Sequence, residues 1–374
     1  MEKLDDLALI RRLDKQLLLD CLIRVPEDIR KAVGMAEAIE IPDRYASAEK
    51  VIVSGLGGSA IPGDMVKDLH DPFSSLPIEV CRGSSIPAYA DSRTLFLGVS
   101  YSGNTEETLS AFVKAVERDC MTIGVTSDGV LEDFCTQLGS PCMKIPSGLA
   151  PRAALPYLLF SILVILRRLG IVSLEDSDID GTVKTIEKLR EEISPEIKTE
   201  NNVAKRMALG IHGTIPVVYG DSIFKAAATR IKTQFNENAK MMAKWEYFPE
   251  LLHNEIVGWE GVDELAHSLS VLLIRDGEED ERRRMEITAT KELIARRGTK
   301  IFEIWAQGDS SIARLLSVVY IGDFTSFYLT ILRGLDPTPV GSIDEVKERL
   351  SKLGTIEELR RRVRELKVRK TTSP

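Results

Sequence analysis

The sequence predicts a doubly wound α/β protein built on two parallel sheets, and three observations carry that prediction. Short, β-branched apolar runs alternate with segments of helical periodicity across most of the chain. Two of these runs end in loops rich in glycine and serine, at the place where such sheets open their ligand crevices. The same alternation begins again past residue 210, and 374 residues exceed what one domain ordinarily holds.

Residues 1–46 read as helical and connective, with Leu17, Leu18, Leu19 and Ile23 among the apolar positions at helical spacing. Strands are predicted at 51–53, 78–81, 94–99, 121–125 and 142–145. The run at 94–99 is apolar almost throughout, the pattern of a strand covered on both faces. Helices are predicted from the first glycine loop to residue 69 and at 106–118. A polar helical stretch at 175–206 leads to a second block, with strands at 215–219, 269–274 and 300–304 and helices at 224–234, 279–296 and 310–333. The expected division is N-terminal helices plus a first domain at 1–174, a helical connection at 175–210, a second domain at 211–354 and a basic tail at 355–374. The tail carries Arg360, Arg361, Arg362, Arg364, Lys367, Arg369 and Lys370. It reads either as a contact for an acidic partner or as a solvated helix whose cations suit the helix dipole.

Composition narrows the function classes. A hydrophobic share of 44% with 28% charged residues describes a chain with a substantial core, and a net charge of −8 argues against a nucleic-acid partner. The strongest membrane candidate, 153–166, is short, interrupted by Pro156 and flanked by Arg152, Arg167 and Arg168, so no membrane segment is expected. The N-terminus has no secretory pattern, which makes the cytoplasm the expected compartment. Cys21, Cys81, Cys120, Cys135 and Cys142 are an odd set with no C-x-x-C pair and read as reduced core residues. Four histidines without ligand-like spacing suggest no metal, and no cofactor motif is complete.

The most informative stretch is Ser100-Tyr101-Ser102-Gly103-Asn104-Thr105-Glu106, between an apolar strand and a helix. Ser100, Ser102 and Thr105 offer three hydroxyls, Gly103 permits a tight turn, and Asn104 or Thr105 can cap the helix. A helix N-terminus presents unpaired N–H groups and partial positive charge, so the loop is suited to a phosphate. Gly55-Leu56-Gly57-Gly58-Ser59 also follows a strand and opens a helix. It lacks the later spacing and terminal acid of a dinucleotide fingerprint, and it fits either close approach to a sugar or phosphate or a turn that binds nothing.

Together the two loops resemble a sugar isomerase (SIS) domain. The likeness extends to Pro151-Arg152-Ala153-Ala154, Gln234-Phe235-Asn236-Glu237-Asn238-Ala239-Lys240, His253-Asn254-Glu255-Ile256-Val257-Gly258-Trp259 and Asp336-Pro337-Thr338-Pro339-Val340. In this order they resemble the bifunctional phosphoglucose/phosphomannose isomerases, over residues 50–350. The resemblance implies two SIS-type domains and aldose–ketose isomerisation of a phosphorylated hexose through a cis-enediol. Ser100, Ser102 and Thr105 would hold the phosphate, with Gly57, Gly58 and Ser59 facing the sugar. Glu237 would move the proton between C1 and C2, a task for a carboxylate with a tuned pKa. His253 would open the sugar ring, which suits imidazole. Arg152 would stabilise charge on the enediol oxygens. Lys347 occupies the approximate position of a C-terminal active-site lysine, with Lys352 on the same predicted helix, and Thr338 would help accept both C2 epimers. Without the resemblance, Glu237 reads as a surface charge and His253 as a half-buried, hydrogen-bonded side chain. The resemblance further implies a homodimer with a shared active site, His253 crossing the interface. Two other readings fit the loops: a non-catalytic SIS protein that senses a phosphosugar, and an isomerase of another phosphosugar.

Overall fold

A computed structural model describes residues 2–71, 74–261 and 264–372, the side chains through residue 368. The side chains of Arg369 and Lys370 lie outside the described residues. The chain falls into two compact units, each joined from separate stretches: Glu27–Leu174 with Val340–Pro374, and Met1–Pro26 with Glu175–Pro339.

The first unit is built on five parallel strands, β1 (Lys50–Ser54), β2 (Ile78–Cys81), β3 (Thr94–Val99), β4 (Met121–Thr126) and β5 (Cys142–Lys144), in the order β2-β1-β3-β4-β5. β3 and β4 are buried at every position, as their largely apolar sequences lead one to expect, with Thr94, Thr122 and Thr126 buried among the apolar residues. Helices Glu106–Glu117 and Val130–Leu138 pack on β3 and β4 around Phe96, Phe112, Leu131 and Phe134. Helix Leu155–Arg168 packs beside Ile61–His70.

The second unit has four parallel strands, β6 (Ile215–Asp221), β7 (Lys244–Phe248), β8 (Leu269–Arg275) and β9 (Lys300–Trp305), in the order β7-β6-β8-β9. β7 has no counterpart among the predicted strands. Its sequence, Lys-Trp-Glu-Tyr-Phe, carries charges at two of five positions, which an edge strand tolerates and an apolar-run criterion misses. Helix Ser311–Leu332 runs through this unit with 94% of its most apolar window buried, packed by helices Asp176–Ile193, Val203–Ile211 and Lys225–Glu237. At 22 residues it is long and apolar enough to cross a membrane, a stronger case than the stretch at 153–166. Its burial among three helices makes it the core helix of the unit. It also carries Asp323, which takes both Nε and Nη2 of Arg230 at 3.0 and 2.7 Å, a buried, geometrically closed pair.

The division of the chain differs from the expected one. Residues 1–26 join the second unit, because Asp5 accepts from the Lys205 ammonium, the Thr199 N–H and the Thr199 hydroxyl. The stretch expected as a connection at 175–210 is instead the helical layer over Ser311–Leu332. The C-terminal segment packs as helix Thr355–Thr372 on the two helices after β3 and β4, seating Leu359 and Val363 in their core. Arg360 pairs with Asp133 and Arg362 with Glu117 across that junction.

Candidate active site

Seven of the ten predicted site residues gather in the five-stranded unit, at the carboxyl ends of β1 and β3. These neighbouring strands form the topological switch point of the order β2-β1-β3-β4-β5, where an open α/β sheet has its crevice. Gly55 sits where a Cβ would meet the Val99 and Ser59 carbonyls within 3.0 Å, so a glycine is needed for the two loops to close. The turn Gly57–Ser59 follows, and a Cβ on Gly58 would lie 3.3 Å from the Arg152 Cα. Arg152, 3% exposed, enters on the turn Pro151–Ala154 and is thereby held against the glycine loop.

The serine loop is shaped by its own side chains. The buried Ser100 hydroxyl bonds that of Thr105 at 2.9 Å. Thr105 is the N-cap residue of helix Glu106–Glu117, yet its side chain makes no capping bond. Asn104 caps the same helix no better. Its Oδ1 accepts from Val130 N–H at the start of the next helix, and its Nδ2 donates to the Ser102 carbonyl. Both expected caps are therefore diverted, and the first-turn N–H groups of the helix face the crevice end of β3 without a side-chain acceptor. That is the arrangement in which a helix N-terminus favours an anion. Gly103 has φ +66°, and a Cβ there would stand 1.8 Å from the Asp128 carbonyl oxygen. Ser102 is exposed.

Glu237 and His253 belong to the four-stranded unit. The helix after β6 runs to Glu237, three residues past its predicted end, so the carboxylate is the last residue of a helix and is half-buried. The helix end is fixed from below. Asn238, the next residue, donates to Gln234 Oε1 and to Ser326 Oγ, at 2.9 and 2.8 Å. Lys240, at φ +53°, donates to the carbonyls of Glu237 and Pro337, which joins the helix end to the segment carrying Thr338. Thr338 N–H in turn bonds Asp336.

His253 ends the short turn Glu250–His253 after β7 and is exposed. Sequence reasoning missed the bonded cluster that anchors the segment following it. Glu255 accepts from the Tyr219 hydroxyl at 2.7 Å and from Lys244, while Trp259 Nε1 donates to the same hydroxyl at 2.9 Å. Burial, with the Glu255 charge beside it, pushes the Tyr219 phenol well above its usual range, so it stays a donor. Glu255 and Trp259 were visible in the quoted motif but carried no signal of what they bond. Lys347 is exposed on helix Gly341–Ser351, which has no buried residue.

The family described as bacterial phospho-glucose isomerase C-terminal SIS domain matches residues 200–350. A bifunctional phosphoglucose/phosphomannose isomerase of Caldicellulosiruptor bescii is 37% identical over 337 residues, covering 90% of this chain and 99% of the relative. One of Thermoplasma acidophilum is 34% identical, covering 82% and 92%. A D-glucosamine-6-phosphate 4-epimerase of Sulfolobus acidocaldarius is 34% identical over a shorter region, 56% of this chain and 64% of that protein. Among solved structures, a glucose-6-phosphate isomerase like protein of Thermus thermophilus shares the fold, with a TM-score of 0.62 at 18% identity over 93% of this chain and 99% of that one. With a relative matched almost end to end, the chain belongs to the bifunctional phosphoglucose/phosphomannose isomerase family.

Proposed function

We propose that this protein interconverts glucose 6-phosphate and mannose 6-phosphate with fructose 6-phosphate, without a metal. The observation that carries the reading is the end-to-end match to a relative named for both activities. The uncapped helix at the serine loop supports it, since it supplies an anion handle on the Ser100 and Thr105 hydroxyls and first-turn N–H groups. Glucose and mannose phosphates differ only at C2, and removing the C2 proton from either open-chain aldehyde gives the same cis-enediol. Glu237 takes that proton and returns it to C1 while the O2 proton passes to O1, yielding the ketose. His253 exchanges protons at the ring oxygen and O1 during ring opening, and Arg152 stabilises charge on the enediol oxygens. Thr338 tolerates both C2 configurations, and Lys347 has the weakest support, given its exposure.

The homodimer belongs to this reading. It is supported by the exposure of His253 beside exposed Val257, and by an open apolar cavity of about 570 Å³ lined by Leu252, Ile256, Met285 and Leu293. The 4-epimerase relative favours a second reading, action on an amino-sugar phosphate. One experiment separates these. Purified protein is assayed with all three hexose 6-phosphates and with glucosamine 6-phosphate, with and without a chelator. Turnover of the hexose phosphates that survives chelation is expected. The Glu237→Gln variant should lose about 10²- to 10⁴-fold in kcat, and near-normal activity would remove Glu237 as the base. Phosphosugar binding with no turnover of any substrate would leave the sensor reading.

A further inference from the structure

Tyr101 stands in the middle of the serine loop, 6% exposed, and no role in the reaction has been given to it. Its bonds reach the loops after β1, β4 and β5 at the crevice end of the five-stranded sheet. Its N–H donates to Ser59 Oγ at 3.1 Å, which ties the serine loop to the glycine loop. Its carbonyl accepts from Ser127 N–H and Oγ, at 3.0 and 2.6 Å, which ties it to the loop after β4. Its hydroxyl donates to the Pro146 carbonyl at 3.1 Å and accepts from Leu149 N–H at 2.7 Å.

The last pair is the informative one. Pro146 C=O and Leu149 N–H are the two ends of a four-residue stretch, the groups that a closed β-turn would bond to each other. Here the phenol hydroxyl is inserted between them and holds the stretch open. Gly148 within it has φ +84°, and Arg152 follows three residues after Leu149. The hydroxyl therefore sets the path by which the chain reaches Arg152, whose backbone is in turn pressed on Gly58. The Ser100 and Thr105 hydroxyls, by contrast, are set by their bond to each other.

We propose that Tyr101 is a positioning residue, whose hydroxyl places Arg152 for the isomerisation while the phosphate loop is built independently of it. The inference rests on the role assigned to Arg152 above. Without the hydroxyl, Pro146 and Leu149 close on each other or take water, and the Arg152 segment shifts. Displacements of about 1 Å at a charge-stabilising group cost on the order of 10²-fold in rate.

The test compares Tyr101→Phe, Arg152→Ala and the double variant, reading kcat, KM and the inhibition constant of inorganic phosphate. Tyr101→Phe should lower kcat about ten- to a hundredfold and leave the phosphate inhibition constant within about twofold. In the Arg152→Ala background the same change should cost almost nothing, because residues that act as one unit are non-additive. Normal kcat in Tyr101→Phe overturns the proposal, as does a parallel weakening of phosphate or full additivity in the double variant. Normal kcat in Arg152→Ala alone overturns the underlying assignment instead. If Tyr101→Phe does not fold, Gly148→Ala strains the same stretch without a clash, since a Cβ there meets nothing within 4 Å. It should reproduce the loss in kcat at unchanged phosphate inhibition, and an unaffected kcat there rejects the proposal.

Discussion

The two sheets use the same design at their crevices and finish their helix N-termini differently. β1 corresponds to β6 and β3 to β8 in the strand orders β2-β1-β3-β4-β5 and β7-β6-β8-β9. Both inner strands have near their carboxyl ends a glycine that nothing larger can replace: Gly55, just past β1, against the Ser59 and Val99 carbonyls, and Gly220, within β6, against the Phe224 carbonyl at 2.5 Å. Each is followed by a short turn, Gly57–Ser59 or Ser222–Phe224, and then a helix. The neighbouring loops diverge. After β3 come hydroxyls that leave the helix N-terminus uncapped. After β8 come Asp276, Glu278, Glu279 and Asp280. There Glu279 accepts from Asp276 N–H and from Arg275, and Asp280 caps helix Glu281–Ala295 through Arg283 N–H. The second helix N-terminus is already neutralised by the chain's own carboxylates. A shared topology thus provides two crevices. Both helices carry acids in the first turn, Glu106 and Glu107 or Glu281, but only the one after β3 has an N-cap residue that makes no capping bond and so leaves its N–H groups to an anion.

The sharpest break in the comparison comes from its glycines. Gly103→Ala should destabilise the protein by more than about 3 kcal/mol or prevent folding, since it adds overpacking to a positive φ. Gly277→Ala, in the matching loop after β8 with nothing within 4 Å of its Cβ, should change stability by less than about 1 kcal/mol. Urea unfolding of both variants checks this, and equal effects would mean the two loops are constrained alike. Next in size is the loops' chemistry. Ser100→Ala should weaken substrate and inorganic phosphate by about tenfold, the worth of a hydrogen bond to a charged group. Glu279→Gln should leave both affinities unchanged and lower stability by about 1–3 kcal/mol, because it strips one acceptor from the buried Arg275, which keeps Glu303. A phosphate effect in Glu279→Gln would dissolve the contrast.

The smallest effect concerns Asp221, which ends β6. Burial pushes its carboxyl above the usual 3.8, and the Arg283 guanidinium and the Ser222 N–H only partly offset this. A carboxyl raised on folding binds its proton more tightly in the native state. Its contribution is therefore fully present below about pH 3.8 and lost as pH rises through the raised value. The stability of the wild type relative to Asp221→Asn should accordingly fall as pH rises from about 4, then level off. Chemical unfolding at stepped pH reads this directly, and a difference growing with pH would show the Arg283 pair to outweigh burial.

Much of this was legible in the chain. β3, β4, β6 and β8 announce themselves as apolar runs, and helix Ser311–Leu332 was predicted to within one residue at each end. The serine loop could be recognised because hydroxyls and a glycine between a strand and a helix have few other uses. The edge strand β7 was not visible, since its charges break the pattern. Residues 1–46, expected to be helical and connective, hold several short helices; the one at Leu7–Leu13 ends where Asp14 turns its carboxylate to the N–H groups of Leu18 and Leu19. The role of Glu237 came from resemblance, and no local pattern distinguishes it from a surface acid.

What the sequence determined by itself is local: apolar periodicity, the need for glycine at tight turns, and which residues could present hydroxyls to an anion. Those follow from sterics and burial within a few neighbouring residues. The tertiary structure decided where long-range partners send each group. It gave residues 1–26 to the second unit through Asp5 and Lys205, residues 200 positions apart. It turned Thr105 and Asn104 away from the cap they were expected to make, and it inserted the Tyr101 hydroxyl between Pro146 and Leu149. A hydrogen bond depends on what the fold brings within about 3 Å, and no spacing along the chain encodes that.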